Sequence, residues 1–169
     1  MDNNIEPAIF YYNPNIYPSE EYELRKAENI RYARSLDLRF IDADYDHSEW
    51  LKETRHMGDE PERGARCMVC FKLRLAKTAQ YARENGFHLF TTTLASSRWK
   101  DLKQITEAGR YAASLFPGIV FWEQNWRKYG LTERKNYLTK AYDFYGQRYC
   151  GCEFSLRDAD KRGQGKKEQ

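Results

Sequence analysis

Short continuous apolar runs alternate along this chain with stretches in which apolar residues recur at helical spacing. Residues 7–12, with Ile9, Phe10, Tyr11 and Tyr12, end at Asn13-Pro14-Asn15, which predicts a buried strand running into a loop. Ser19 with Glu20 and Glu21 then reads as a capped, acidic first turn, and Tyr22, Ala27, Ile30, Ala33 and Leu36 place an apolar stripe on a helix to about residue 36. Residues 38–43 read as a second strand and the surroundings of Trp50 and Leu51 as a short helix. A polar loop, Gly58-Asp59-Glu60-Pro61-Glu62-Arg63-Gly64, follows. Phe71, Leu75, Ala79 and Ala82 restore the helical period until Asn85-Gly86 ends it. Residues 88–94 and 119–122 read as strands, and 100–115 and 132–143 as helices. This alternation predicts an α/β protein whose parallel sheet is covered by helices, with binding groups on loops at the carboxyl ends of the strands. One domain is expected over residues 1–157, and the polar stretch 158–169 reads as a disordered tail.

At 169 residues the chain has room for a single core of ordinary size. No apolar run approaches the roughly 18–20 residues that span a bilayer, and Met1-Asp2-Asn3-Asn4 has neither the basic nor the apolar part of a signal peptide. The sequence therefore reads as cytoplasmic, with no membrane partner. A net charge of +3 and a pI near 8.6 are compatible with a nucleic-acid partner only if the positive charges cluster. No Gly-rich phosphate loop is present, which argues against nucleotide-dependent chemistry.

The chemistry-bearing residues are four cysteines in two close pairs, Cys67/Cys70 and Cys150/Cys152. In a reducing compartment such pairs serve as metal ligands or redox couples more often than as structural disulfides. Cys67 and Cys70 are expected at a helix start, where exposed backbone amides favour thiolate over thiol. Spacing alone leaves a zinc half-site, an iron–sulfur role and a redox couple open. Cys150-Gly151-Cys152 admits two readings as well. A disulfide between residues two apart needs a sharp bend that glycine permits, and its strain suits reversible electron transfer; a metal-binding C-x-C is the other. His47, His56 and His88 show no ligand spacing.

Several segments together resemble the QueH family of epoxyqueuosine reductases. They are Phe10-Tyr11-Tyr12-Asn13-Pro14-Asn15-Ile16 with Pro18, Asp59-Glu60-Pro61-Glu62-Arg63-Gly64 leading into Cys67-Met68-Val69-Cys70-Phe71, Thr92-Thr93-Leu94, Ser97-Arg98-Trp99-Lys100-Asp101, Asn125-Trp126-Arg127-Lys128, and Tyr149-Cys150-Gly151-Cys152 with Ser155-Leu156-Arg157. The resemblance implies a Rossmann-like, mostly parallel sheet with helices on both faces. It also implies reduction of epoxyqueuosine to queuosine at the wobble position of tRNA. By the family pattern Cys67 and Cys70 would be two ligands of a [4Fe–4S] cluster, and Cys150 and Cys152 a redox-active pair able to form a disulfide and relay electrons from an unidentified donor. Arg98, Lys100, Trp126, Arg127 and Lys128 would then meet the tRNA, aromatic faces stacking on splayed bases and cations neutralising phosphate. Lys161, Arg162, Lys166 and Lys167 could add nonspecific attraction.

Members of this family begin with a strand, a C-C-x-x-C motif and a helix ahead of the segment matched by Phe10, and the adjacent cysteines there would complete the cluster. This sequence contains no such motif. The expectation is thus a fragment whose first strand and helix are missing. The competing reading is an inactive or truncated paralogue that acts as a zinc-containing RNA-binding protein.

Overall fold

The computed structural model describes residues 5–164 and divides the chain into two compact units, Met1–Ser48 with Tyr145–Gln169, and Glu49–Phe144. In the first unit, β1 (Ala8–Tyr11) and β2 (Arg39–Asp42) pair in parallel, from Ala8 opposite Arg39 to Tyr11 opposite Asp42. Parallel neighbours need a crossover, and α1 (Ser19–Ser35) supplies it. Tyr11, Ile16 and Tyr22 form the buried centre, with Phe40 and Tyr45 packed against it. Their hydroxyls are satisfied as they are buried: Tyr11 donates to Tyr22 O at 3.3 Å and Tyr22 to Ala43 O at 3.4 Å.

Two details of α1 differ from the sequence reading. Its first turn has Pro18 as N-cap with no side-chain cap bond, and Ser19 Oγ instead approaches Glu20. Its buried face is Tyr22, Arg25 and Ala33, while Ala27 and Leu36 are exposed. The helix is rotated so that an arginine, rather than Ala27, faces inward. After Tyr145 the chain passes the second cysteine pair and enters α6 (Glu153–Gln164). The stretch expected as a tail is therefore helical as far as Gln164, carrying Lys161 and Arg162; residues 165–169, with Lys166 and Lys167, lie outside the described residues.

The second unit begins within α2 (His47–Thr54) and contains α3 (Ala65–Glu84), β3 (Leu89–Phe90), α4 (Leu102–Ser114), β4 (Val120–Phe121) and α5 (Leu131–Ala141). β3 and β4 pair in parallel, Leu89 opposite Val120 and Phe90 opposite Phe121. Phe71, Leu75, Ala79 and Ala82 of α3 pack with Ile105, Ala108 and Ala112 of α4, Phe90 and Ile119. The alanines at the centre of this face let the two helices approach closely. Gly109 extends the same logic, since a Cβ there would lie 2.2 Å from the Phe121 ring.

The α/β class follows the predicted alternation, and the parallel pairs are β1–β2 and β3–β4, each inside its own unit. The strands of the second unit are shorter than their apolar runs. Thr92 Oγ1 accepts the Leu94 N–H at 3.3 Å and turns the chain into one 3-10 turn, Thr93–Ser96, so β3 stops at Phe90. Asp101 caps α4 by accepting from Lys103 N–H at 2.7 Å and Gln104 N–H at 3.4 Å, which starts the helix at Leu102 rather than at Lys100.

Gly109→Ala forces a methyl into the Phe121 ring. Overpacking of this kind costs about 1–3 kcal/mol, more than the roughly 1 kcal/mol that alanine contributes to a helix interior. Denaturant unfolding should show a net destabilisation for this substitution.

Candidate functional site

In the second unit, Cys67 and Cys70 lie one helical turn apart at the start of α3, Cys67 half-buried and Cys70 buried. The preceding loop is held from both ends. The Glu60 carboxylate accepts the Ala65 N–H at 3.1 Å, placing an anion at the helix N-terminus, and a Cβ on Gly64 would meet that carboxylate at 2.4 Å. Arg66, 2% exposed, donates from Nη1 to Met57 O at 2.9 Å and Gly58 O at 3.2 Å. Arg63 adopts a left-handed conformation, φ +71°, and aims its backbone N–H at Cys67 Sγ, 3.3 Å away. That amide and the helix start present hydrogen-bond donors to the sulfur, an environment that suits thiolate.

Arg63 also ties this turn to the loop after β3. Its guanidinium donates to Trp99 O at 2.9 Å and Arg98 O at 3.5 Å, while Gln104 Nε2 donates to Arg63 O at 2.7 Å. The sequence-predicted basic and aromatic residues of this unit fall into two groups. Arg98 and Trp99 are exposed, with the Arg98 guanidinium 4.7 Å from the Trp99 ring centre, and Lys128 is exposed; Lys100 is half-buried, with Nζ 5.9 Å from the Phe71 ring centre. Trp126 and Arg127 turn inward. Trp126 packs on the core and meets Trp122 edge-on at 5.3 Å, and the Arg127 guanidinium donates to Ala95 O at 3.1 Å and Lys100 O at 2.9 Å. The loops after β3 and β4, both at carboxyl ends of strands, are joined by this arginine.

Two thiols on one turn match one edge of a four-thiolate cluster but do not complete it. The unit holds no other cysteine, and among the described residues no third His, Cys, Asp or Glu joins the pair.

In the first unit, Cys150-Gly151-Cys152 runs directly into α6. Cys152, buried, sits at the N-cap: its carbonyl accepts the Leu156 N–H at 3.0 Å, and its sulfur lies 3.4 Å from both the N–H and the Oγ of Ser155. Four successive carbonyls of this loop accept hydrogen bonds. Arg25 Nη2 donates to Tyr149 O at 3.2 Å and Nη1 to Cys150 O at 3.1 Å. Tyr17 N–H donates to Gly151 O at 2.8 Å and Ser155 Oγ to Cys152 O at 2.8 Å. Tyr149 returns the contact by donating its hydroxyl to Tyr17 O, with the Arg25 guanidinium 5.3 Å from its ring centre. Gly151 has φ +131°, and a Cβ there would lie 3.1–3.2 Å from Arg25, Asn15 and Ile16, so only glycine fits.

Arg25, Arg63, Gln104 and Ser155 escaped the sequence reading. Ser155, three residues after Cys152, carries a legible capping signal; a charged residue at a buried position of α1 does not announce itself. The three histidines carry no ligand role here. His47 Nδ1 lies 2.7 Å from Pro14 O, and its ring stacks between Tyr17 and Tyr45 at 5.7 and 5.6 Å.

The fold and its thiol-bearing loops define an α/β protein with one cysteine pair at a helix start in each unit. The epoxyqueuosine reductase QueH family model matches residues 1–158, and the chain belongs to this family. It is 50% identical over 159 residues to epoxyqueuosine reductase QueH of Histophilus somni, covering 94% of this chain and 65% of that protein. Against the Haemophilus influenzae protein of the same name it is 48% identical, covering 95% and 66%. Against that of Thermotoga maritima it is 36% identical, covering 89% and 80%. The chain thus spans about two thirds of the length of the first two relatives.

Burial pushes the Tyr149 phenol from 10.0 up to about 12, with the Glu21 carboxylate adding to the effect and the Arg25 guanidinium opposing it. The folded state holds this proton more tightly than the unfolded state. The stabilisation is therefore fully present below about pH 10 and is lost as pH rises through 12. In a tyrosinate absorbance titration, wild type minus Tyr149→Phe should show one phenol ionising near pH 12; a difference step near 10 would contradict the buried contact.

Proposed function

We propose that this protein acts as an epoxyqueuosine reductase on tRNA, converting the wobble-base epoxide to the alkene. The reaction consumes two electrons and two protons and releases the epoxide oxygen as water. The observation that carries the reading is the Cys67–Cys70 turn, whose Arg63 amide faces the Cys67 sulfur while its guanidinium holds the loop bearing exposed Arg98 and Trp99. A sulfur site and a cationic, aromatic surface are thereby fixed to each other within one unit.

In this reading Cys67 and Cys70 are two ligands of a [4Fe–4S] cluster, with further ligands needed to complete it. The cluster supplies single electrons when bound. Cys150 and Cys152 are the redox pair: two thiols that become one disulfide release two electrons and two protons, the stoichiometry the epoxide requires. An electron donor then restores the dithiol. Arg98 and Lys128, exposed, neutralise phosphate, and Trp99 beside Arg98 offers a stacking face for an unpaired base. Lys100 lends charge from a half-buried position. Trp126 and Arg127 serve this surface by fixing its loops. A tRNA substrate places the protein in the cytoplasm. In keeping with this, no helix among the described residues is long and apolar enough to cross a membrane.

The experiment is anaerobic incubation of iron-loaded protein with tRNA bearing epoxyqueuosine and a chemical reductant, read by nucleoside mass spectrometry. Wild type should convert the modified nucleoside to the species lacking one oxygen atom, and Cys67→Ala or Cys150→Ser should lower the rate by about a hundredfold or more. No conversion by iron-loaded wild type, or undiminished conversion by both variants, would overturn the reading.

A further inference from the structure

Arg25 stands out among the charged residues of the first unit because it is 6% exposed, lies in the middle of a surface helix, and spends its guanidinium on the loop that carries the second cysteine pair. Glu21, one turn earlier, accepts from Nε at 2.8 Å and balances the charge. Gln147 Oε1 accepts from Nη1 at 3.0 Å. The remaining donors go to the carbonyls of Tyr149 and Cys150. A planar fork held by a carboxylate on one side is a rigid object, so the carbonyls it binds have a fixed direction.

The Cys150 carbonyl is part of the peptide that links Cys150 to Gly151, between the two sulfur-bearing residues. Joining Cys150 and Cys152 draws residues two apart into a sharper bend. The bend must be taken up at Gly151 and its flanking peptides, because Cys152 is anchored as the N-cap of α6. Rotation of the 150–151 peptide swings the Cys150 carbonyl away from Arg25. The arginine contacts are made with all four cysteines as thiols, so they favour the dithiol over the disulfide.

We infer that Arg25 is a positioning residue for the C-G-C pair, one that holds the loop in its dithiol geometry and thereby makes the disulfide more oxidising. This rests on the reading of Cys150 and Cys152 as a redox pair. Oxidation by a small disulfide is balanced as follows. The S–S bond of glutathione disulfide breaks, the Cys150–Cys152 bond forms, and two electrons and the two thiol protons pass to the glutathione sulfurs, which leave as two thiols.

The test is equilibration of the full chain in a series of reduced and oxidised glutathione, acid quenching, alkylation, and mass spectrometry of the peptide containing both residues. Arg25→Lys keeps the charge beside Glu21 but lacks the fork. The Cys150–Cys152 disulfide should then form about tenfold more readily than in wild type, a shift of roughly 30 mV for a two-electron couple. Gln147→Ala removes an acceptor of the same guanidinium without touching a loop carbonyl, and should leave the equilibrium within about twofold. Thermal melts of the reduced proteins establish that each variant is folded; Arg25→Gln, which retains a single donor group, takes the place of lysine if that variant is not. An unchanged equilibrium in a folded Arg25 variant overturns the inference while the redox pair stands. A wild-type chain that forms no Cys150–Cys152 disulfide at any glutathione ratio overturns the redox reading itself, and this inference with it.

Discussion

Arginine forks on backbone carbonyls are the interaction on which the site loops of both units depend. A strand of two or four residues satisfies few main-chain groups through its ladder, and long irregular loops leave carbonyls that need other donors. In each unit an arginine supplies them. Arg25 binds the carbonyls of Tyr149 and Cys150, Arg63 those of Arg98 and Trp99, Arg66 those of Met57 and Gly58, and Arg127 those of Ala95 and Lys100. Each pairing fixes a loop that carries a cysteine or leads to one, or a loop that carries an exposed cation. Lysine could provide the charge but not two fixed donor directions.

This arrangement gives the cysteines defined surroundings on short elements. The Cys67 sulfur faces an amide because Arg63 is held in a left-handed conformation, and Arg63 is held there by its own guanidinium and by Gln104. The Cys152 sulfur caps α6 because Gly151 allows the chain to turn at a place too crowded for a side chain. In both cases the loop backbone is stabilised by polar contacts, while the apolar cores beneath, Phe71 with Leu75 and Ile105 in one unit and Tyr11 with Tyr22 in the other, hold the helices that carry the arginines.

Much of this was legible in the residues. The alternation of apolar runs and helical stripes gave the order of strands and helices, and the Asn85-Gly86 stop closes α3 with Gly86 at φ +75°. The two cysteine pairs were recognisable from spacing, and the predicted position of Cys67 and Cys70 at a helix start agrees with α3. Legibility ended where tertiary contacts override local pattern. Arg25 occupies a buried helical position that periodicity assigns to an apolar residue, and Trp126 and Arg127 resemble ligand-facing groups until the carbonyls of Ala95 and Lys100 take up the guanidinium. The polar composition after Asp158 concealed a helix, because Cys152 and Ser155 provide a cap that composition does not register.

The central claim is that the Cys67–Cys70 turn is built to ligate iron rather than to fill a structural role. Iron and acid-labile sulfide analysis, with a visible spectrum, on the anaerobically reconstituted protein and its Cys67→Ala variant tests it most directly. The account predicts iron and sulfide in about equal amounts with charge-transfer absorption in wild type, and loss of both in the variant. A colourless wild-type protein that takes up zinc, or iron retained undiminished by Cys67→Ala, would contradict it.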